Sequence, residues 1–116
     1  MATFTLANLT DIGGGTGQNA TTTPFTQSAL TAFIFCSFAG SQSVVLTPTL
    51  FTNAGAVTTV IDTGAFPGRP GNPITITLVG GAVFVGNLSN YRITQPGGAL
   101  TFVWNGANLQ LVSHNP

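Results

Sequence analysis

The sequence predicts an all-β fold: a single small β-sandwich, jelly-roll-like, of about eight short antiparallel strands with long Gly/Thr-rich and Pro-rich loops. Three observations predict it. Short runs of β-branched and aromatic residues recur along the chain, the composition of strands on a half-buried pleated surface. Gly (15) and Pro (7) punctuate these runs throughout. No stretch carries the apolar period of an amphipathic helix. A length of 116 residues fits one domain over 1–116, and 43% hydrophobic residues suffice for a modest core.

The elements follow in chain order. "ATFTLA" (2–7) alternates and predicts a first strand. Residues 8–28 are rich in Gly, Thr and Asn and read as a flexible arm or a surface-hugging loop. "LTAFIFCSFAG" (30–40) is almost continuously apolar, which predicts a strand covered on both faces. "SVVLTPTLF" (43–51) contains Pro48, which suits an edge strand or a bulge. "AVTTVID" (56–62) is the next strand. In 64–73, Pro67, Pro70 and Pro73 are spaced by three, as in an extended polyproline-like loop. "ITITLV" (74–79) places Ile74, Ile76 and Leu78 on one face and Thr75 and Thr77 on the other. "GGAVFVG" (80–86) reads as a short Gly-bounded strand, and "SNYRITQ" (89–95) as one with Tyr91 and Ile93 on one face. The chain closes on a hairpin, "ALTFVWNGANLQLVS" (99–113), with Leu100, Phe102 and Trp104 on one face. Asn105-Gly106 predicts a type I′ turn, which needs two residues tolerant of positive φ. These segments do not repeat as sequence, which argues against a regular solenoid.

Charge excludes several functions. Charged residues are 3% of the chain, where about 25% is usual. The whole inventory is Asp11, Asp62, Arg69 and Arg92, with His114 as the single histidine. A nucleic-acid partner is not expected, because phosphate affinity is built from Lys and Arg. Attachment to an anionic membrane surface fails on the same ground. Near-zero net charge favours association, which suits a surface buried in an assembly and a skin of neutral Thr, Ser and Asn. No apolar run reaches the ~18 residues of a spanning helix, and the opening does not read as a cleavable leader, so synthesis in a cytoplasm is expected. The three N-x-S/T triplets, at Asn8, Asn19 and Asn87, are expected by chance in so Thr-rich a chain.

Catalytic and cofactor chemistry finds few candidates. A carboxylate pair would have to be Asp11 and Asp62, each placed among turn residues. A triad or a Cys–His pair would have to use His114, the third residue from the end of the sequence. Cys36 lies among apolar residues and reads as an inert buried thiol with no disulfide partner in the chain. A metal site needs three or four ligands, and the few available are scattered. "GGGTG" (13–17) lacks the lysine of a phosphate loop. No enzyme activity, cofactor or metal is expected. Tyr91 and Trp104 are candidates for a sugar-stacking platform, against the plainer reading that Trp104 packs on the sandwich. Arg69, with Pro67 and Pro70 in the Pro-rich loop, is the candidate intermolecular contact, against the plainer reading of a solvated loop charge.

"YRITQPGGALTFVWNGANLQLVS" (91–113) resembles a recurring ending of tailed-bacteriophage virion accessory proteins: capsid decoration (cement) proteins, head fibres and tail-fibre tips. In that ending a strand, a Pro/Gly-rich turn, a strand like "LTFVW", an Asn/Asp-Gly turn and a last strand follow one another. The family often has an aromatic after the second turn; this chain has Leu109 there and Trp104 before it. The resemblance implies a β-rich, non-enzymatic homotrimer on the capsid surface of a virion, with the major capsid protein as partner. The rival expectations are a tail-fibre tip that binds a host glycan and a cellular carbohydrate-binding β-sandwich.

Overall fold

The computed structural model describes residues 17–115. The β-branched runs form strands β1 (Gly17–Ala20), β2 (Phe25–Thr26), β3 (Phe33–Cys36), β4 (Gln42–Leu46), β5 (Val57–Asp62), β6 (Ile74–Leu78), β7 (Tyr91–Ile93), β8 (Ala99–Trp104) and β9 (Leu109–Asn115). They build two sheets, one ordered β1-β3-β5-β8-β9 and the other β2-β4-β6-β7.

The all-β class holds, but the antiparallel jelly-roll does not. From β1 to β6 the chain changes sheet at every strand. Each strand then stacks parallel on the one two elements earlier: β1 on β3 on β5, and β2 on β4 on β6. Parallel neighbours need a crossover, and here the crossover is the strand in the opposite sheet. The first six strands therefore wind as a three-turn two-sheet coil, in spite of the missing sequence repeat. Only then does the chain turn antiparallel, with β7 on β6, β8 on β5 and β9 on β8.

Several element expectations are corrected. Residues 17–28 are not a free arm, because they contribute β1 and β2; "ATFTLA" and the rest of 8–16 lie outside the described residues. β3 is covered on one face only: Ile34 and Cys36 point inward while Phe33 stays 38% exposed. Pro48 opens a 3-10 turn after β4, and β4 is a central strand of its sheet. The Pro-rich loop contains a 3-10 turn at Arg69–Gly71 rather than an extended polyproline segment. Residues 79–90 hold a 3-10 turn and one isolated bridge, Phe84 to Leu88, instead of a strand.

The core lies between the sheets. Ile34, Val60, Leu100 and Phe102 come from one, and Val44, Leu46, Ile74, Ile76 and Ile93 from the other, all in one buried cluster. The inward faces of β6 and of the β8 strand match the expected alternation. The closing hairpin forms, but its loop is four residues, 105–108, because Trp104 pairs with Leu109. Asn105 has no positive φ, so the turn is not type I′; only Gly106 takes the left-handed side, at φ +102°. Asn105 Oδ1 instead accepts the backbone N–H groups of Ala107 (2.9 Å) and Asn108 (2.8 Å).

Candidate functional site

The described residues contain one cluster of ionisable groups, and it is internal. β5 alternates inward at Thr58 and Val60, and the same period sends Asp62 inward. Asp62 lies in register with Cys36 of β3. The Pro-rich loop then brings Arg69 back to it: Nη2 donates to Asp62 Oδ1 at 3.2 Å, with both side chains fully buried. Nη2 also donates to the Phe38 carbonyl (2.9 Å), and Nη1 to the carbonyls of Gly40 (2.6 Å) and Asn72 (3.1 Å). Asp62 Oδ2 accepts the N–H of Gly97 at 3.0 Å. The Phe66 ring closes the top, its centroid 5.0 Å from the guanidinium carbon. Phe66 folds back only because residue 68 is glycine; a Cβ there would meet the ring at 2.8 Å.

This geometry corrects both readings of Arg69. It is neither a solvated loop charge nor an outward contact, since it is 0% exposed and four of its hydrogen bonds end inside its own chain. It is a clasp that joins the β3–β4 turn, the β5–β6 loop and the 95–98 turn. Its Nε has no partner, so the burial of the guanidinium is not fully compensated. Pro67 and Pro70 beside it are exposed. Asp62 is likewise a strand residue rather than a turn residue, and both its oxygens are occupied. Asp11 lies outside the described residues.

Cys36 is buried as expected. Burial pushes its thiol up to about 12; Arg69 pulls in the opposite direction and Asp62 adds to the rise. It is therefore a thiol, not a thiolate, at any ordinary pH. Among the described residues no three His, Cys, Asp or Glu side chains gather as metal ligands. No helix of the described residues is long and apolar enough to cross a membrane.

Tyr91 and Trp104 do not form a common platform. Tyr91 lies in the four-stranded sheet and packs against Phe84 (4.9 Å, edge-on) and Phe102 (5.7 Å). Trp104 lies in the five-stranded sheet and stacks on Phe51 at 6.2 Å. Both rings are half-buried in the aromatic end of the core.

With the clasp internal, Arg92 is the charged residue exposed among those described, and it stands on β7 of the four-stranded sheet. The outer face of the five-stranded sheet carries Phe33 stacked on Phe35 at 5.6 Å, with Val57 48% exposed nearby. A second apolar group sits on loop 79–90, where Val83, Val85 and Leu88 are exposed. Sequence reasoning missed the Asp62–Arg69 pair. Its signal was present: the period of β5 points Asp62 inward, and Arg69 follows seven positions later in a chain almost without charge. No protein-family model and no curated protein matches this chain.

Proposed function

We propose that this chain is a non-enzymatic structural subunit of a tailed-phage virion, a decoration or cement protein that assembles with copies of itself on the capsid surface and holds the major capsid protein. The observation that carries the reading is the distribution of charge. Asp62 and Arg69 neutralise each other in the interior, and the outer sheet surface is left to Phe33, Phe35, Val57, Thr and Ser. Interface cores are depleted in charge and enriched in aromatics in the same way. The resemblance of residues 91–113 supplies the choice of a phage head. The buried clasp suits this role too, because it fixes three loops at one end of the molecule without using any outward group.

The test is co-sedimentation of the purified chain with expanded phage heads stripped of decoration. The expected result is saturable pelleting with the heads and a raised resistance of those heads to heat or chelator. A chain that stays in the supernatant at all head concentrations overturns the reading.

A further inference from the structure

The hairpin loop 105–108 holds the one Asn-Gly step of the sequence, Asn105-Gly106, and all of its residues are exposed. The Asn105 side chain does not hang free in water. Its Oδ1 accepts the backbone N–H groups of Ala107 at 2.9 Å and Asn108 at 2.8 Å. The ring closed by the Ala107 bond contains both Asn105 Cγ and the Gly106 nitrogen, so the side-chain carbonyl is folded back over the peptide that follows it. The N–H of Asn105 is taken by the Asn108 carbonyl at 3.0 Å, but among the described residues nothing accepts the N–H of Gly106. Residue 106 brings no Cβ to shield that nitrogen, and its φ of +102° keeps the position to glycine.

These are the parts of an intramolecular acyl transfer. A nitrogen with an open N–H is tethered beside a carbonyl carbon, which removes the entropy cost of bringing the two together. Two backbone N–H groups already hold the oxygen on which negative charge develops when a nitrogen adds to Cγ, the arrangement of an oxyanion hole. Water reaches the leaving amide, because the residue is exposed.

We propose that Asn105 is a self-modifying site, which the hairpin loop converts to aspartate and isoaspartate without an enzyme. The Gly106 nitrogen bonds to Asn105 Cγ as its proton passes to solvent. The Cγ–Nδ2 bond breaks, and Nδ2 takes up a proton and leaves as ammonia. Water then opens the cyclic imide at either carbonyl. One water is consumed and one ammonia released, with no oxidant or reductant. Opening on one side gives an α-linked aspartate, which keeps the acceptor for Ala107 and Asn108. Opening on the other gives isoaspartate, which moves Cβ into the main chain and takes that acceptor away. Either product adds a negative charge to a chain whose formal net charge is zero. Asn108 is the internal control: it is exposed in the same loop, but the following nitrogen belongs to Leu109, whose side chain crowds it. The inference concerns the chain alone and holds whatever it assembles with.

The test is incubation of the full chain at neutral pH, one sample folded and one unfolded in guanidinium chloride, followed over time by peptide mapping with mass spectrometry and by isoelectric focusing. In the folded chain Asn105 is expected to react at least about tenfold faster than Asn108. It is also expected to react no more slowly folded than unfolded, since the loop supplies the alignment and both N–H donors. A single acidic species accumulates on focusing and migrates with the Asn105→Asp variant. Asn105→Gln, whose longer side chain carries the carbonyl away from the Gly106 nitrogen, does not produce it. A folded chain that reacts more slowly than the unfolded one overturns the proposal, because the hairpin then protects Asn105. Equal rates at Asn105 and Asn108, or an acidic species that persists in Asn105→Gln, overturn it as well.

Discussion

Arg69 holds its guanidinium where water does not reach it, so its partners decide its effect on stability. Removing one member of a buried pair strands the other, which typically costs about 3–5 kcal/mol. Asp62→Ala is expected to lower the unfolding free energy by that amount, read from urea denaturation. Asp62→Ala combined with Arg69→Met is expected to cost less than the sum of the two single changes, because no lone charge is left inside. Additive losses would mean that the carbonyls of Phe38, Gly40 and Asn72, not Asp62, compensate the guanidinium. Cys36 gives a prediction in pH. Its folded pKa is raised from 9.0 to about 12. Below pH 9 both folded and unfolded chains hold the proton, and between the two values only the folded chain does. Stability therefore falls with rising pH across that window, by about 1.4 kcal/mol per unit from this group. Cys36→Ala removes that part of the slope in an alkaline denaturation series; an unchanged slope would place its cause in other groups. At this scale the apolar setting of Cys36 was legible, because its neighbours announce burial. Arg69 was not, because prolines on either side say nothing about whether a loop folds outward or back over its own ring.

The strands show which part of a fold periodicity encodes. Ile74, Ile76 and Leu78 face inward as their spacing requires, and so do Leu100 and Phe102. The direction of pairing is invisible at this level, since a strand alternates in and out identically beside a parallel or an antiparallel neighbour. For that reason the coil of β1 to β6 reads, from sequence, as an antiparallel sandwich. Turn chemistry was half legible. Asn105-Gly106 did mark the reversal, but Asn105 acts through its side chain and not through positive φ. Asn105→Ala is therefore expected to cost about 1–2 kcal/mol for two lost hydrogen bonds, while Asn105→Asp, which keeps the acceptor, costs less. Equal losses in thermal unfolding would return the role to the backbone. Loop 79–90 is held by Phe84, which is 1% exposed and stacked on Phe102 at 5.2 Å. Phe84→Ala is expected to cost about 3–5 kcal/mol, the range for a buried aromatic cut to a methyl. It would also free Val85 from Leu109, raising amide exchange at Val85 before the rest of the sheet.

Across the whole molecule, the balance of forces is set by what the surface lacks. Residues 17–113 show the outside one exposed charge, Arg92, and a broad area of Thr, Ser, Asn and aliphatic side chains. Long-range electrostatic steering is therefore weak, and any assembly has to be held by buried apolar area and backbone hydrogen bonds. These forces respond to salt in the opposite sense to ion pairs. Screening shortens the Debye length from about 10 Å at ~0.1 M to about 3 Å at ~1 M and weakens exposed charge contacts. Burial of apolar surface is undiminished, and sulfate strengthens it by exclusion from the surface. Self-association and head binding are accordingly expected to change little between ~0.1 and ~1 M NaCl and to tighten in sulfate. Light scattering and co-sedimentation across the two salt series measure both. A steep loss of binding in NaCl would instead put Arg92, and the face of the four-stranded sheet that bears it, at the centre of the contact. Arg92→Gln would then abolish binding, whereas an apolar contact through the five-stranded sheet predicts that the same substitution leaves it intact.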